Sequence, residues 1–327
     1  MDVTRPAQLG RYEVLTTLAG GGMATIYLGR RREPDGTPSP VALKVIKDDL
    51  GTDDEYVRMF RDEASILLRL THPNIVQTFE ADVTGGHRWI AMELLLGRTL
   101  ADLCDEAARR GSHMPHRLAA WICARVAGAL HYAHELTDED GVHLRVIHRD
   151  ANPSNIILTY DGRVKLIDFG LAKAARRQSK SKEGVVKGKV PYLSPEQVKQ
   201  RVVDHRTDLY ALGATLWEMT TGRRLWKRDT DAETVRAIQA GVVPDPTELV
   251  EGYPEELWAI VWEALMPQSA HRYSDAAVMA ADLDAFVART GGALYMPQHA
   301  QGFIEEMFPG ESARREAWMQ RLTTSPA

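Results

Sequence analysis

The 327-residue chain changes character once, near residue 94, and that switch limits the folds open to it. Before it, RYEVLTTLA, ATIYLGR, PVALKVI, IVQTFEAD and HRWIAMEL are short apolar or β-branched runs separated by turn formers, the pattern of strands. One helix interrupts them. YVRMFRDEASILLRL puts Met59, Glu63, Leu67 and Leu70 on one helical stripe, and THPN stops it. After LLLGRTL the apolar spacing becomes helical, through ADLCDEAARR, HRLAAWICARVAGALHYAHEL, TDLYALGATLWEMTTG, PEELWAIVWEALM and SDAAVMAADLDAFVAR. A strand-like patch, VIHRDANPSNIILTYDGRVKLIDFG, sits inside this helical half. The expected class is α+β. Residues 291–327 read as a polar tail with one short helix around GFIEEMF, where Phe303, Ile304, Met307 and Phe308 crowd together.

Composition narrows the function classes. No run approaches the roughly 20 apolar residues of a membrane span, and MDVTRPAQLG has no basic segment followed by an apolar one, so the expected location is cytoplasmic. Cys104 and Cys123 are too few for a disulfide framework or a thiolate metal site and read as buried core residues. A net charge of -5 leaves no electrostatic footprint for DNA or RNA.

Three constellations carry chemistry. AGGGMATIY places glycines between two strand-like runs, where backbone N–H groups can approach a phosphate; a tight turn without a ligand would use the same glycines. In VALKVI, alternation puts Ala42, Lys44 and Ile46 on one strand face, so a cation emerges from an apolar surface and needs a counter-charge, which Glu63 on its helical stripe can supply. HRDANPSN followed by LIDFG gathers Asp150, Asn155 and Asp168 into loops at strand ends, hard oxygen donors suited to Mg²⁺, an ion that binds few protein carboxylates and shares substrate phosphates. His148 has no second histidine at ligand spacing and reads as a packed structural residue.

The glycine loop, VALK, the helix glutamate, HRD with an Asn five residues after the Asp, DFG and SPE follow one another in the order found in protein kinases, over about residues 11–290. GGGMATIY and VPYLSPEQ most resemble the bacterial eukaryotic-like Ser/Thr kinases. The resemblance implies a bilobal fold: a small β-rich N-lobe with one main helix (about 11–94) and a larger, mostly helical C-lobe (about 95–290), between an extension of residues 1–10 and the tail. It implies ATP and Mg²⁺ as cofactors and transfer of the γ-phosphate to protein Ser or Thr hydroxyls. Lys44 would hold the α- and β-phosphates and pair with Glu63, under the backbone of Gly20, Gly21 and Gly22. Asp168 and Asn155 would hold metal, and Asp150 would orient the substrate hydroxyl and accept its proton. Adenine would lie among Leu18, Ile26, Ala42 and Ile157, with Met92 behind it and the backbone of Glu93 and Leu95 offering hydrogen bonds. Glu196 would pair with Arg272, and Asp208 would brace the catalytic loop.

Departures matter as much as matches. Ala19 and Ala24 stand at two positions of the loop that are usually glycine. Asn152 replaces the lysine that Ser/Thr kinases usually carry two residues after the catalytic aspartate, and Lys189 replaces the usual threonine before PYLSPE. Lys189 is read as restoring the missing charge near Asp150. Arg149, with Ser179 and Ser181 in the basic loop before SPE, points to autophosphorylation on one of these serines through a transient homodimer. An ATP-binding pseudokinase or regulatory scaffold is the alternative, motivated by Asn152 and Lys189. The protein substrate and the role of the insert ELTDEDGVHLRV are not legible in the sequence.

Overall fold

The computed structural model describes residues 6–21, 24–47, 54–169, 190–291 and 295–324, without the side chains of 54–57, 59, 63 and 322–324. Gly22, Ser179, Ser181, Lys189 and the Glu63 side chain lie outside the described residues. The chain divides into two compact units. One runs to Leu96 and includes Gly310 onward; the other begins at Gly97 and runs to Pro309.

In the first unit, β1 (Gln8–Leu9), β2 (Tyr12–Gly20), β3 (Ala24–Arg32), β4 (Pro38–Ile46), β5 (Thr78–Thr84) and β6 (His87–Glu93) form an antiparallel sheet ordered β1-β2-β3-β4-β6-β5. Alternation sorts its faces. Tyr27, Val41, Leu43, Val45, Trp89 and Ala91 join Leu9, Tyr12 and Val14 in one buried cluster. Tyr12 meets Trp89 edge-on, and the Tyr12 hydroxyl donates to Glu80 Oε2 at 3.1 Å. Ile26, Ala42, Lys44, Ile90 and Met92 share the opposite face, since Lys44 pairs with both Ile26 and Ile90 and Ala42 pairs with Met92. Helix α1 (Asp54–Arg69) packs on β5 and β6.

The second unit opens with β7 (Gly97–Thr99), which pairs with β8 (Ile156–Thr159) and through it with β9 (Val164–Leu166). Gly97 is required there, because a Cβ would lie 2.3 Å from the Leu158 carbonyl oxygen. The helices are α2 (Leu100–Arg109), α3 (His116–His134), α4 (Pro195–Val198), α5 (Arg206–Thr221), α6 (Asp231–Ala240), α7 (Glu255–Ala264) and α8 (Ala276–Arg289). Every residue of α5 from Thr207 to Thr221 is buried, with α3 and α7 packed around it. The insert before His148 is a small loop closed by a Thr137–His143 bridge, in which Asp138 Oδ1 accepts from the backbone of Asp140 and Val142. Among the described residues no helix is long and apolar enough to cross a membrane.

The tail holds two helices where the sequence suggests one short one: α9 (Pro297–Met307) and α10 (Glu311–Thr324). Ala300, Phe303, Ile304 and Met307 make a buried stripe, and α9 packs on α2 and β8. Arg110 donates to the carbonyls of Glu306 and Met307, which as last-turn groups lack helical partners. Arg98 lies 4.6 Å from the Phe308 ring centroid. Helix α10 packs on β4 of the first unit.

Two charge networks, each anchored on one buried ionisable side chain, brace the helical unit. Arg272, with a fully buried side chain, donates to Glu196 Oε1 and Oε2 at 2.7 and 2.8 Å, and also to the carbonyls of Met266, Pro267 and Arg206. Glu218, on α5, accepts from the Tyr192 hydroxyl at 2.5 Å and faces Arg224 at 3.6 Å, while Arg224 reaches Asp105 at 3.1 Å. Burial outweighs both partners and raises the Glu218 carboxyl from 4.5 to about 7.

Arg272→Ala leaves the half-buried Glu196 carboxylate without its ion-pair partner and should cost up to about 3 kcal/mol, read from urea unfolding. A loss under about 1 kcal/mol would mean that water replaces the guanidinium. Glu218 keeps a proton in the folded state that the unfolded chain has lost between pH 4.5 and about 7, so its contribution to stability falls as pH rises across that window. In Glu218→Gln that dependence disappears, and the Tm of the variant should gain on the wild type from pH 5 to pH 8. A constant difference would assign the group an ordinary titration.

Candidate active site

In the strand-rich unit, Ile26, Ala42, Lys44 and Met92 lie on the sheet face away from the core, and Leu18 is half-buried on β2. Lys44 is half-buried with Ile26 and Ile90 as its cross-strand neighbours. Glu63 lies within α1. Gly21 N–H donates to the Ala24 carbonyl at 2.9 Å, closing the β2–β3 connection, and Lys47 Nζ donates to the Gly21 carbonyl at 2.8 Å. Among the described residues nothing in the packing requires either glycine: a Cβ on Gly20 would meet nothing within 4 Å, and one on Gly21 only the Ala24 carbonyl oxygen at 3.5 Å. Their φ angles are not positive, so backbone conformation does not demand glycine either. Glu93 exchanges hydrogen bonds with Gln77, giving its N–H to the Gln77 carbonyl at 2.9 Å and accepting the Gln77 N–H on Oε1 at 2.8 Å. Leu95 is half-buried just before the unit boundary.

In the helical unit the HRD loop is built on the buried carboxylate of Asp208. Its Oδ2 accepts the His148 N–H at 2.8 Å and lies 2.9 Å from His134 Nε2, and its Oδ1 accepts the Arg149 N–H at 2.6 Å. These bonds hold Arg149 at φ 63, a left-handed conformation that costs a non-glycine residue about 1–3 kcal/mol. Gln197 Nε2 donates to the Arg149 carbonyl at 3.3 Å. His148 is fully buried, accepting the Asp150 N–H on Nδ1 at 3.3 Å and donating from Nε2 to the Ile167 carbonyl at 3.0 Å. Burial pushes its pKa down, and its ring packs 4.6 Å from that of Phe169. It is a neutral, structural histidine.

The loop then brings the remaining residues together. Asn152 caps the 3₁₀ turn Pro153–Asn155, its Oδ1 accepting the Ser154 N–H at 3.0 Å. Asn155 Nδ2 donates to Asp150 Oδ2 at 2.9 Å and to the Asp150 carbonyl at 2.8 Å. The Asn155 carbonyl accepts the Ile167 N–H at 2.9 Å, and β8–β9 pairing sets Ile156 opposite Leu166, so Asp168 follows directly at φ 61. Ile157, on β8, is half-buried opposite Thr99 and Lys165. Asp150, Asn155 and Asp168 thus belong to one loop system of hard oxygen donors. Among the described residues no group of three or more His, Cys, Asp or Glu side chains forms a metal cage, and a cation here would rely on few protein ligands.

In residue order Asn152 stands out only as the loss of a cation. Its Nδ2 donates to Asp150 Oδ1 at 2.7 Å, a contact no periodicity reveals. The local signal was the Asn-Pro-Ser order, a polar cap followed by proline at the first position of a helical turn.

The protein kinase domain family matches residues 12–324, a span that includes both tail helices. The tyrosine-protein kinase MasK of Myxococcus xanthus is 38% identical over 307 residues, covering 93% of this chain and 48% of MasK. The serine/threonine-protein kinase PknL of Mycobacterium tuberculosis is 35% identical over 275 residues, covering 84% of this chain and 65% of PknL. The chain therefore spans only part of the curated relatives it matches. The crystal structure of the Mycobacterium tuberculosis PknI kinase domain superposes with a TM-score of 0.63 at 28% identity, covering 87% of this chain and 99% of that one. Fold, motif order and family match agree that this chain belongs to the protein kinase family.

Proposed function

We propose that this protein is a serine/threonine kinase that transfers the γ-phosphoryl group of ATP to hydroxyls of protein substrates, itself among them. The observation that carries the reading is the Asp150 carboxylate, hydrogen-bonded through Asn155 inside a loop braced by Asp208. So held, it can orient a substrate hydroxyl and take its proton as the new P–O bond forms and the bond to the leaving diphosphate breaks. Asn155 Nδ2 is engaged with Asp150, which leaves the side-chain oxygen for a cation. With the Asp168 carboxylate it fits Mg²⁺, which would neutralise phosphate charge when bound. Lys44, with Glu63 as counter-charge, is assigned to the phosphates. Gly20 and Gly21, glycines that no packing among the described residues demands, are assigned with Gly22 to backbone approach to the same group. Leu18, Ile26, Ala42, Met92 and Ile157 are assigned to the adenine, with the Leu95 backbone and the Glu93 carbonyl as its hydrogen-bond partners.

Lys189 as a compensating cation, Ser179 or Ser181 as the autophosphorylation site, a transient homodimer and a cytoplasmic setting rest on the sequence. MasK, named a tyrosine kinase, supports a second reading in which tyrosine is the acceptor. Labelled Mg-ATP, incubated with the protein and a basic protein substrate, should give phosphoserine or phosphothreonine in the wild type. Asp150→Asn should lower transfer by at least about 10²-fold, the scale expected when a general base is lost. Label confined to phosphotyrosine would establish the second reading. Silence in both proteins with ATP still bound would leave a pseudokinase.

A further inference from the structure

Asn152 stands where a lysine is usual, yet it does not extend outward as a substitute for one: it is 1% exposed. All its side-chain polar groups are engaged within the loop. Nδ2 donates to Asp150 Oδ1 at 2.7 Å and lies 3.2 Å from the Asp150 carbonyl oxygen, while Oδ1 accepts the Ser154 N–H at 3.0 Å. Its backbone is engaged as well, its N–H donating to the Asp150 carbonyl and its carbonyl accepting from Asn155, each at 2.9 Å. Asn155 makes the matching pair of contacts from the other side, to Asp150 Oδ2 and to the same carbonyl. Each amide thus joins one carboxylate oxygen of Asp150 to that residue's own backbone, and the two amides take different oxygens. Rotating the carboxylate about either side-chain bond would break both contacts.

We propose that Asn152 is a positioning residue: its amide, paired with that of Asn155, locks the Asp150 carboxylate in the orientation used for phosphoryl transfer. The inference rests on the kinase reading and extends it to a residue that the family pattern marks as a deficit. A lysine could not do this work, since an ammonium has donors but no acceptor and could not also cap Ser154. Fixing the attacking geometry lowers the entropy to be lost on reaching the transition state, and a misplacement of about 1 Å can cost about 10²-fold in rate.

The role separates from capping by choice of variant. Serine caps a helical turn about as well as asparagine, but its shorter side chain cannot cap Ser154 and reach Asp150 Oδ1 at once. Asn152→Ser should still unfold cooperatively, with at most a modest loss of Tm from the lost contact, should keep the KM for ATP, and should lower kcat roughly 10- to 100-fold. Asn152→Lys should not restore it. In the residual turnover of Asp150→Ala, adding Asn152→Ser should have no further effect, because the group it positions is gone. Turnover of Asn152→Ser within about twofold of wild type, or an undiminished effect in the Asp150→Ala background, would overturn the proposal. A readout independent of turnover separates it from the kinase reading. In ¹⁵N-labelled protein the Asn152 side-chain amide, identified by its loss in Asn152→Ser, should show one proton shifted downfield that moves in Asp150→Ala. An amide signal indifferent to Asp150→Ala would refute the positioning role whether or not the wild type transfers phosphate.

Discussion

The Asp208 carboxylate is the contact on which the helical unit's chemistry depends. A fully buried carboxylate is costly unless its lone pairs are engaged, and Asp208 is engaged by two successive backbone N–H groups and by His134. That satisfaction runs in both directions. The loop supplies the donors that make the buried charge tolerable, and the charge holds Arg149 in a left-handed conformation that it would otherwise leave. Because Asp208 lies on α5, whose following residues are all buried, the anchor is set in the most enclosed helix of the unit. Downstream, His148 reaches across to the Ile167 carbonyl, so the strand leading to Asp168 is placed by the same loop. Local backbone strain and a buried charge, each unfavourable alone, are mutually compensating here.

The strand-rich unit solves a simpler problem. Alternation along β4 sends Val41, Leu43 and Val45 into the core and leaves Ala42 and Lys44 on the other face, so one strand both closes the core and presents a cation. Its glycines fall into two kinds. Gly29 is forced, since a Cβ there would fall 2.4 Å from Leu43, whereas a Cβ at Gly20 would meet nothing among the described residues.

Features with a period or a long apolar run were legible from residue order: the strands of the first unit, α1 with Leu67 and Leu70 on one face, and α3, which is buried nearly all round. Opposed charges such as Glu196 and Arg272 were legible only through the family resemblance, being 76 positions apart. The tail carries a weak signal because its Ala300, Phe303, Ile304 and Met307 stripe is short and set among polar residues, so burial on α2 rather than local propensity makes the helix. The insert before His148 escaped altogether, since Asp138 closes it by side-chain contacts to its own backbone, which have no period. The hydrogen bonds of Asn152 are hidden from residue order for a related reason. Comparing one residue with the usual one at its position exposes what is missing, while the substitute's own hydrogen bonds emerge only in three dimensions.

The proline after Asn152 has a chemical consequence of a different kind. Asparagine side chains age by cyclising: the backbone nitrogen of the next residue loses its hydrogen and attacks the amide carbonyl, and hydrolysis of the ring leaves an acid. Pro153 has no N–H to lose, so this route is closed at the position where an aspartate would set a second negative charge against Asp150. The residue that starts the 3₁₀ turn therefore also preserves the amide beside it over the lifetime of the protein.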